Sequence, residues 1–270
     1  MNCMNLNLLD NYKKFCDIRE NSINTKKIDL SNETFLYPTT LLPLINYQKG
    51  NKLDCIKPKS DKTKDYFDIM NNLQTNSKQK TSIPFTELPK DSIEGNKKIA
   101  EIFELLGDGK NVGGENAFKY MVNEMVTNIY EHSKFNNAYT MAQKYPNKQF
   151  LEVCFYDDGI GIPGSFKKAK IEFDSDKETI MKAVEGTSTK ETTSTESPKR
   201  GYGLSRNLKL IKDKFNGEML IVSNSGAFHL HEQKQYKYDL SKKYILAGTL
   251  VSYRYKFPVM DVNIYDGSIE

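Results

Sequence analysis

Along 117–133 the apolar residues Phe118, Met121, Val122, Met125 and Ile129 recur at three- and four-residue steps, which predicts one amphipathic helix. Ile99, Ile102, Phe103 and Leu106 form a second helical stripe that stops at Gly107-Asp-Gly109. Leu204, Leu208, Ile211 and Phe215 form a third, and a further helix falls within 171–184. Strand-like runs differ in pattern. Residues 150–156 are apolar nearly throughout, 219–222 are short and apolar, and 250–257 alternate strictly. That alternation, following Gly248-Thr249, reads as a half-exposed strand. Pro84 and Pro89 bracket an edge strand. Between these elements, 136–148 reads as a loop, 186–198 as a mobile Ser/Thr-rich loop and 229–243 as a polar insert, with His229 and His231 on its surface.

The first 60 residues read as a small α/β unit. A helix is expected over 5–18, strand material at 27–31 and 34–37, a second helix capped by Thr39 and ending near Gly50, and a last strand at 53–56. From 57 to 89 the chain is polar around a short island at 66–70, which reads as a linker with the boundary near 80. The expected organisation is therefore a unit over 1–80, a larger domain over 81–260 and a tail over 261–270.

Composition narrows the class. With 27% charged and 38% apolar residues the chain is globular rather than disordered. Its 39 basic residues face 35 acidic ones, and no concentrated basic patch appears, which argues against a nucleic-acid partner. Cys3, Cys16, Cys55 and Cys154 are scattered without C-x-x-C spacing, which points to a reduced, cytoplasmic setting and no zinc site. No run has the length and apolarity of a membrane span, nor does the N-terminus carry a signal-peptide pattern.

Candidate chemistry lies in three places. Glu124, Asn128 and His132 are spaced i, i+4, i+8, which aligns an acid, an amide oxygen and an imidazole along one helix face. Asn128 could ligate Mg²⁺, and Glu124 could orient or deprotonate a nucleophile. The plainer alternative is a solvated face. Just past a predicted strand comes Asp157-Asp-Gly-Ile-Gly-Ile-Pro-Gly164, where glycines let a ligand approach the main chain; the plainer alternative is a turn. Lys199-Arg-Gly-Tyr-Gly-Leu204 opens a helix, where free backbone N–H groups suit phosphate oxygens.

Taken together and in this order, the three boxes resemble the GHKL superfamily of ATP-binding domains, which includes gyrase B, histidine kinases and MutL. The resemblance covers roughly residues 90–258. It implies an α/β (α+β) fold, a two-layer sandwich with a mixed sheet and helices on one face, here preceded by the small N-terminal unit. It further implies ATP and Mg²⁺ as ligands. Asn128 would hold the metal, Asp157 would accept the adenine amino hydrogen, and Gly159 and Gly161 would make room for the ring. Gly201 and Gly203, flanked by Arg200 and Leu204, would meet the phosphates, and Thr249 would support the adenine contact. His132 matches members with histidine at this position, with capping or pairing to Glu131 as the alternatives. Glu124 would be the general base.

Departures within the superfamily favour the stand-alone serine-kinase branch typified by anti-sigma factors. No helical hairpin carries a phospho-acceptor histidine, and only about a dozen residues follow the last predicted strand. The segment from Ile28 to Ile45 resembles the STAS domains of anti-anti-sigma factors, although Tyr37, Pro38 and Thr40 replace the small residues expected at its turn. Only Thr39 remains there as a candidate phospho-acceptor, against the plainer reading as a helix cap. The expected function is a serine/threonine protein kinase in signal transduction, acting on a regulatory partner of STAS-like type. The alternatives are an ATP-operated binding switch and slow ATP hydrolysis. A homodimer is compatible with the pattern; a membrane partner is not expected.

Overall fold

The computed structural model describes residues 6–73, 81–105, 114–189, 202–257 and Val262. Among these residues the elements run α1 (Leu8–Thr25), β1 (Lys27–Asp29), α2 (Pro38–Gly50), β2 (Asp54–Ile56), α3 (Asp61–Met70), β3 (Ser82–Leu88), α4 (Ser92–Leu105) and α5 (Gly114–Asn128). There follow β4 (Ala138–Tyr145), β5 (Phe150–Asp157), α6 (Gly161–Lys168), α7 (Asp176–Val184), α8 (Tyr202–Lys209), β6 (Glu218–Asn224), β7 (Gly226–His231), β8 (Lys234–Asp239) and β9 (Leu246–Lys256). The class is α+β. β1 and β2 pair in parallel as a small separate sheet. The other strands form a seven-stranded sheet in the order β3-β4-β5-β9-β6-β7-β8 among the described residues. Every pairing in it is antiparallel, not mixed as expected.

The pleat divides the core in two. Leu151, Val153 and Phe155 of β5 and Val251, Tyr253 and Tyr255 of β9 face α5 and α8, packing on Phe118, Met121, Val122 and Ile211. Cys154, Tyr156 and Leu250 point the other way and pack on Leu8, Tyr12, Phe15, Leu41 and Ile45 of α1 and α2. The two-layer sandwich over 81–257 therefore carries a further helical layer, built by the N-terminal residues, on its far face. β9 is thus buried on both sides rather than half exposed.

That second face is held by charge as well as by apolar contact. Glu152 and Glu218 lie in register with Arg254 between them, so the row crosses β5, β9 and β6. Glu152 Oε2 accepts from Arg254 Nε at 3.0 Å and Nη2 at 2.7 Å, while its Oε1 accepts from the Thr39 N–H at 2.9 Å and the Thr39 hydroxyl at 2.7 Å. Glu218 Oε1 accepts from the Leu8 N–H at 2.6 Å. Each carboxylate sits at the N-terminus of one helix, α2 or α1, where the helix dipole favours a negative charge. The cap of α2 is Tyr37 with Pro38 in the first turn, so Thr39 is not the cap. Its hydroxyl is fully buried and also bonds Ser252 at 3.0 Å, which removes it as a surface phospho-acceptor.

Several stretches depart from their sequence reading. The linker contains α3, whose Phe67 and Met70 are buried. Residues 34–37 form no strand. Residues 136–148, read as a loop, carry β4, whose inward positions include Ala138, Thr140, Ala142 and Gln143. Such small and polar residues leave a weak apolar signal. The polar insert is the β7–β8 hairpin, turned at Glu232 and Gln233, both with positive φ. Asn-Gly is the usual pair for such a turn, so Glu-Gln hid it. Pro84 lies in edge strand β3 at a register shift between Ile83 and Thr86, where its missing N–H is tolerated. Among the described residues no helix is long and apolar enough to cross a membrane.

Candidate functional site

α5 packs its apolar stripe on the sheet and so fixes which face is left for chemistry. After Asn128 it widens into a π-helical turn, Ile129–Ser133, a distortion often found at functional sites. The turn ends where β5 gives way to the Asp157-Asp158-Gly159 loop. The Asp158 carboxylate accepts from the Asn136 N–H at 2.7 Å and the Asn137 N–H at 2.8 Å, and the Ile160 N–H donates to Ser133 O at 2.8 Å. These bonds hold the loop against the end of α5. Gly159 is required by that approach, because a Cβ there would overlap the Ser133 carbonyl. The glycine thus serves chain packing; expected to make room for a ring, it is not among the residues lining the cavity below.

Between α5, the start of α6, the residues after α7, the start of α8 and the sheet lies a cavity of about 370 Å³. Glu124, Asn128, His132, Asp157, Gly161, Gly203, Leu204 and Thr249 all line it. Residues separated by more than a hundred positions thus share one concave site, of a volume within the range common for small-molecule pockets. Arg200 and Gly201 lie outside the described residues.

Asp157 is 4% exposed. Burial pushes its carboxyl up to about 7, against the Gly159 N–H donating to Oδ1 at 3.0 Å, with the Asp158 charge adding to the rise. Its cross-strand partner is Thr249, whose hydroxyl lies 3.0 Å from Ser223 Oγ. Ser223 also accepts from the Ile162 N–H at 2.9 Å, so this buried hydroxyl ties the start of α6 to the middle of the sheet.

Asn128 Nδ2 is buried and, among the described residues, has no hydrogen-bond partner. The two ends of an amide exchange by rotation, so the same position can offer an oxygen to a hard cation. Such an orphaned amide in a cavity that also holds a carboxylate fits a metal–phosphate ligand. Glu124 lies against Gly203, where a Cβ would fall on its carboxylate. His132 gives its carbonyl to the Ser165 hydroxyl at 3.0 Å, and its Nδ1 is 3.1 Å from Thr189 Oγ1. Its Nε2 also stands 3.7 Å from the Glu131 carboxylate.

The cavity also contains residues the sequence reading passed over: Tyr120, Ser165, Thr189 and Arg206. Arg206 sits three residues after Gly203, with its guanidinium 5.9 Å from the Tyr120 ring centre. A cation one turn beyond a glycine box was a usable signal; Thr189, in an irregular segment, offered none. Comparison with protein-family models, with curated proteins and with solved structures gave no match.

Proposed function

We propose that the cavity binds ATP with Mg²⁺ and that the chain is a serine/threonine protein kinase of GHKL type acting on a regulatory protein partner. The observation that carries the reading is the lining of one cavity by Glu124, Asn128, His132, Asp157, Gly203 and Thr249, residues from separate boxes to which the resemblance gives roles at one nucleotide site. Helices layered over one face of the sheet support such a domain, although the sheet is antiparallel throughout where the resemblance implies a mixed one.

In this reading the ionised Asp157 accepts an N–H from the exocyclic amine of the base, inside a wall formed by Ile162, Phe155 and Val251. Asn128 would hold Mg²⁺, which supplies charge neutralisation along the phosphates. Arg206 meets the negative charge that develops on the transferred group. Glu124 takes the proton from the partner's serine or threonine hydroxyl as that oxygen bonds to the γ-phosphorus and the bond from that phosphorus to the bridging oxygen breaks, which leaves ADP.

Calorimetry with ATP and Mg²⁺ tests binding; no heat at millimolar nucleotide would end the proposal. A radiolabel assay with proteins encoded beside this gene tests transfer. Glu124→Ala is expected to keep ATP affinity and lose label on the partner. The Thr189–His132 contact favours one second reading, in which nucleotide sets the position of this segment and so recruits a partner without transfer. Partner binding that survives Glu124→Ala but is lost in Asn128→Ala, with no label transferred by the parent protein, would select it.

A further inference from the structure

Two of the chain's three histidines lie outside that cavity, on the sheet face covered by α1, and converge on one carboxylate. His229 and His231 are two residues apart on β7, so they share a face. Their rings lie nearly parallel, 12° apart in orientation, with centres 5.3 Å from each other. Glu218 on neighbouring β6 completes the group. Its Oε1 is 2.6 Å from His229 Nε2 and 3.5 Å from His231 Nδ1, and one ligand atom from each residue lies within 4.8 Å of the other two. His229 is 2% exposed and Glu218 is buried, whereas His231 reaches solvent.

Charge gives an independent reason to look for a cation here. Arg254 directs Nε and Nη2 to Glu152 and stands 3.7 Å from Glu218. The row Glu152, Arg254, Glu218 holds two carboxylates against one guanidinium. A buried excess negative charge is unfavourable unless a cation or strong donors offset it; Glu152 has the Thr39 N–H and hydroxyl as well as Arg254, while Glu218 has the Leu8 N–H, the His229 contact and the more distant Arg254.

We propose that Glu218, His229 and His231 bind a zinc-class divalent metal that fastens the N-terminus of α1 to the sheet. Two imidazole nitrogens and one carboxylate oxygen suit Zn²⁺ and not Mg²⁺ or Ca²⁺, which take oxygen ligands. Ligand atoms around a tetrahedral zinc stand roughly 3.3 Å apart, given bonds of about 2.0–2.1 Å. The 2.6 and 3.5 Å separations bracket that spacing, and the part-exposed His231 has freedom to adjust. Solvent beside His231 supplies a water as the fourth ligand. Because Glu218 Oε1 also accepts the Leu8 N–H, the metal and the first turn of α1 share one carboxylate, and loading the metal stiffens the docking of α1. This runs against the expectation of no zinc site, which rested on cysteine spacing alone. It does not depend on the ATP reading.

The full chain, stripped with chelator, would be titrated with Zn²⁺ by calorimetry and its metal content measured after desalting, with Co²⁺ as a spectroscopic probe. We expect about one zinc retained per chain, a four-coordinate Co²⁺ spectrum and a rise in Tm on loading. His231→Gln, at a part-exposed position, should fold as the parent does, weaken zinc binding more than about tenfold and abolish the Tm rise. His229→Gln should do the same. Zinc affinity unchanged in His231→Gln, or no zinc retained by the parent chain, overturns the proposal and leaves the histidine–carboxylate contact as a hydrogen bond alone.

Discussion

Asp157→Asn separates the stability of this protein from its proposed function at a single atom. Burial holds the Asp157 carboxyl up to about 7, while in the unfolded chain it titrates as an ordinary aspartate. Below the unfolded value both states are protonated and the group contributes no difference. As pH rises, the unfolded chain ionises first, so stability falls progressively until the folded carboxyl has also ionised above about 7. Asparagine keeps the shape, and its Oδ1 can still accept the Gly159 N–H, but it carries no charge. At roughly 1.4 kcal/mol per tenfold change, the parent protein gives up about 2 kcal/mol near pH 5 and about 4 kcal/mol near pH 8. The advantage of Asp157→Asn should therefore grow by roughly 2–3 kcal/mol between those conditions, read as the difference in urea unfolding free energy. A variant-minus-parent difference that does not change with pH would refute the reasoning. In the same variant ATP binding should be lost, since the amide cannot reproduce a charged acceptor. In the parent protein, ATP affinity should rise with pH through about 7, by at most roughly tenfold per pH unit, because an N–H donor selects the carboxylate.

Gly159→Ala places a methyl group on the Ser133 carbonyl, a backbone atom that cannot swing aside, and is expected to lower stability by about 1–3 kcal/mol in urea titration and to weaken ATP together with it. Gly203→Ala differs, because the obstructed atom is the end of the flexible Glu124 side chain; Tm should move little, while phosphoryl transfer drops as the carboxylate is displaced. Glu152→Ala leaves the Arg254 guanidinium and the Thr39 N–H buried without their acceptor and should destabilise by about 3–5 kcal/mol, with amide exchange rising first in α2.

The sequence by itself determined the elements that carry strong period: the α5 stripe, the helix after the second glycine box, and the apolar strands β5 and β6. It also singled out eight of the residues that line the cavity, among them Glu124, Asn128, Asp157 and Gly203, through the order of the three boxes and the resemblance they carry. Weak-period elements stayed hidden. Apart from Met141, β4 fills its buried positions with alanine, threonine and glutamine, and the β7–β8 turn uses Glu232-Gln233 where torsions favour Asn-Gly.

Only the tertiary structure decided what the polar face of β9 does. Alternation in 250–257 is the same whether Ser252 and Arg254 meet water or a second layer, and the partners that bury them, Thr39 and Glu152, lie more than a hundred positions away. Long-range pairing likewise joined Glu218 to two histidines that look like surface residues of an insert. Periodicity records how a residue sits on its own strand or helix. Which element covers it depends on contacts between distant parts of the chain, and no local pattern encodes those.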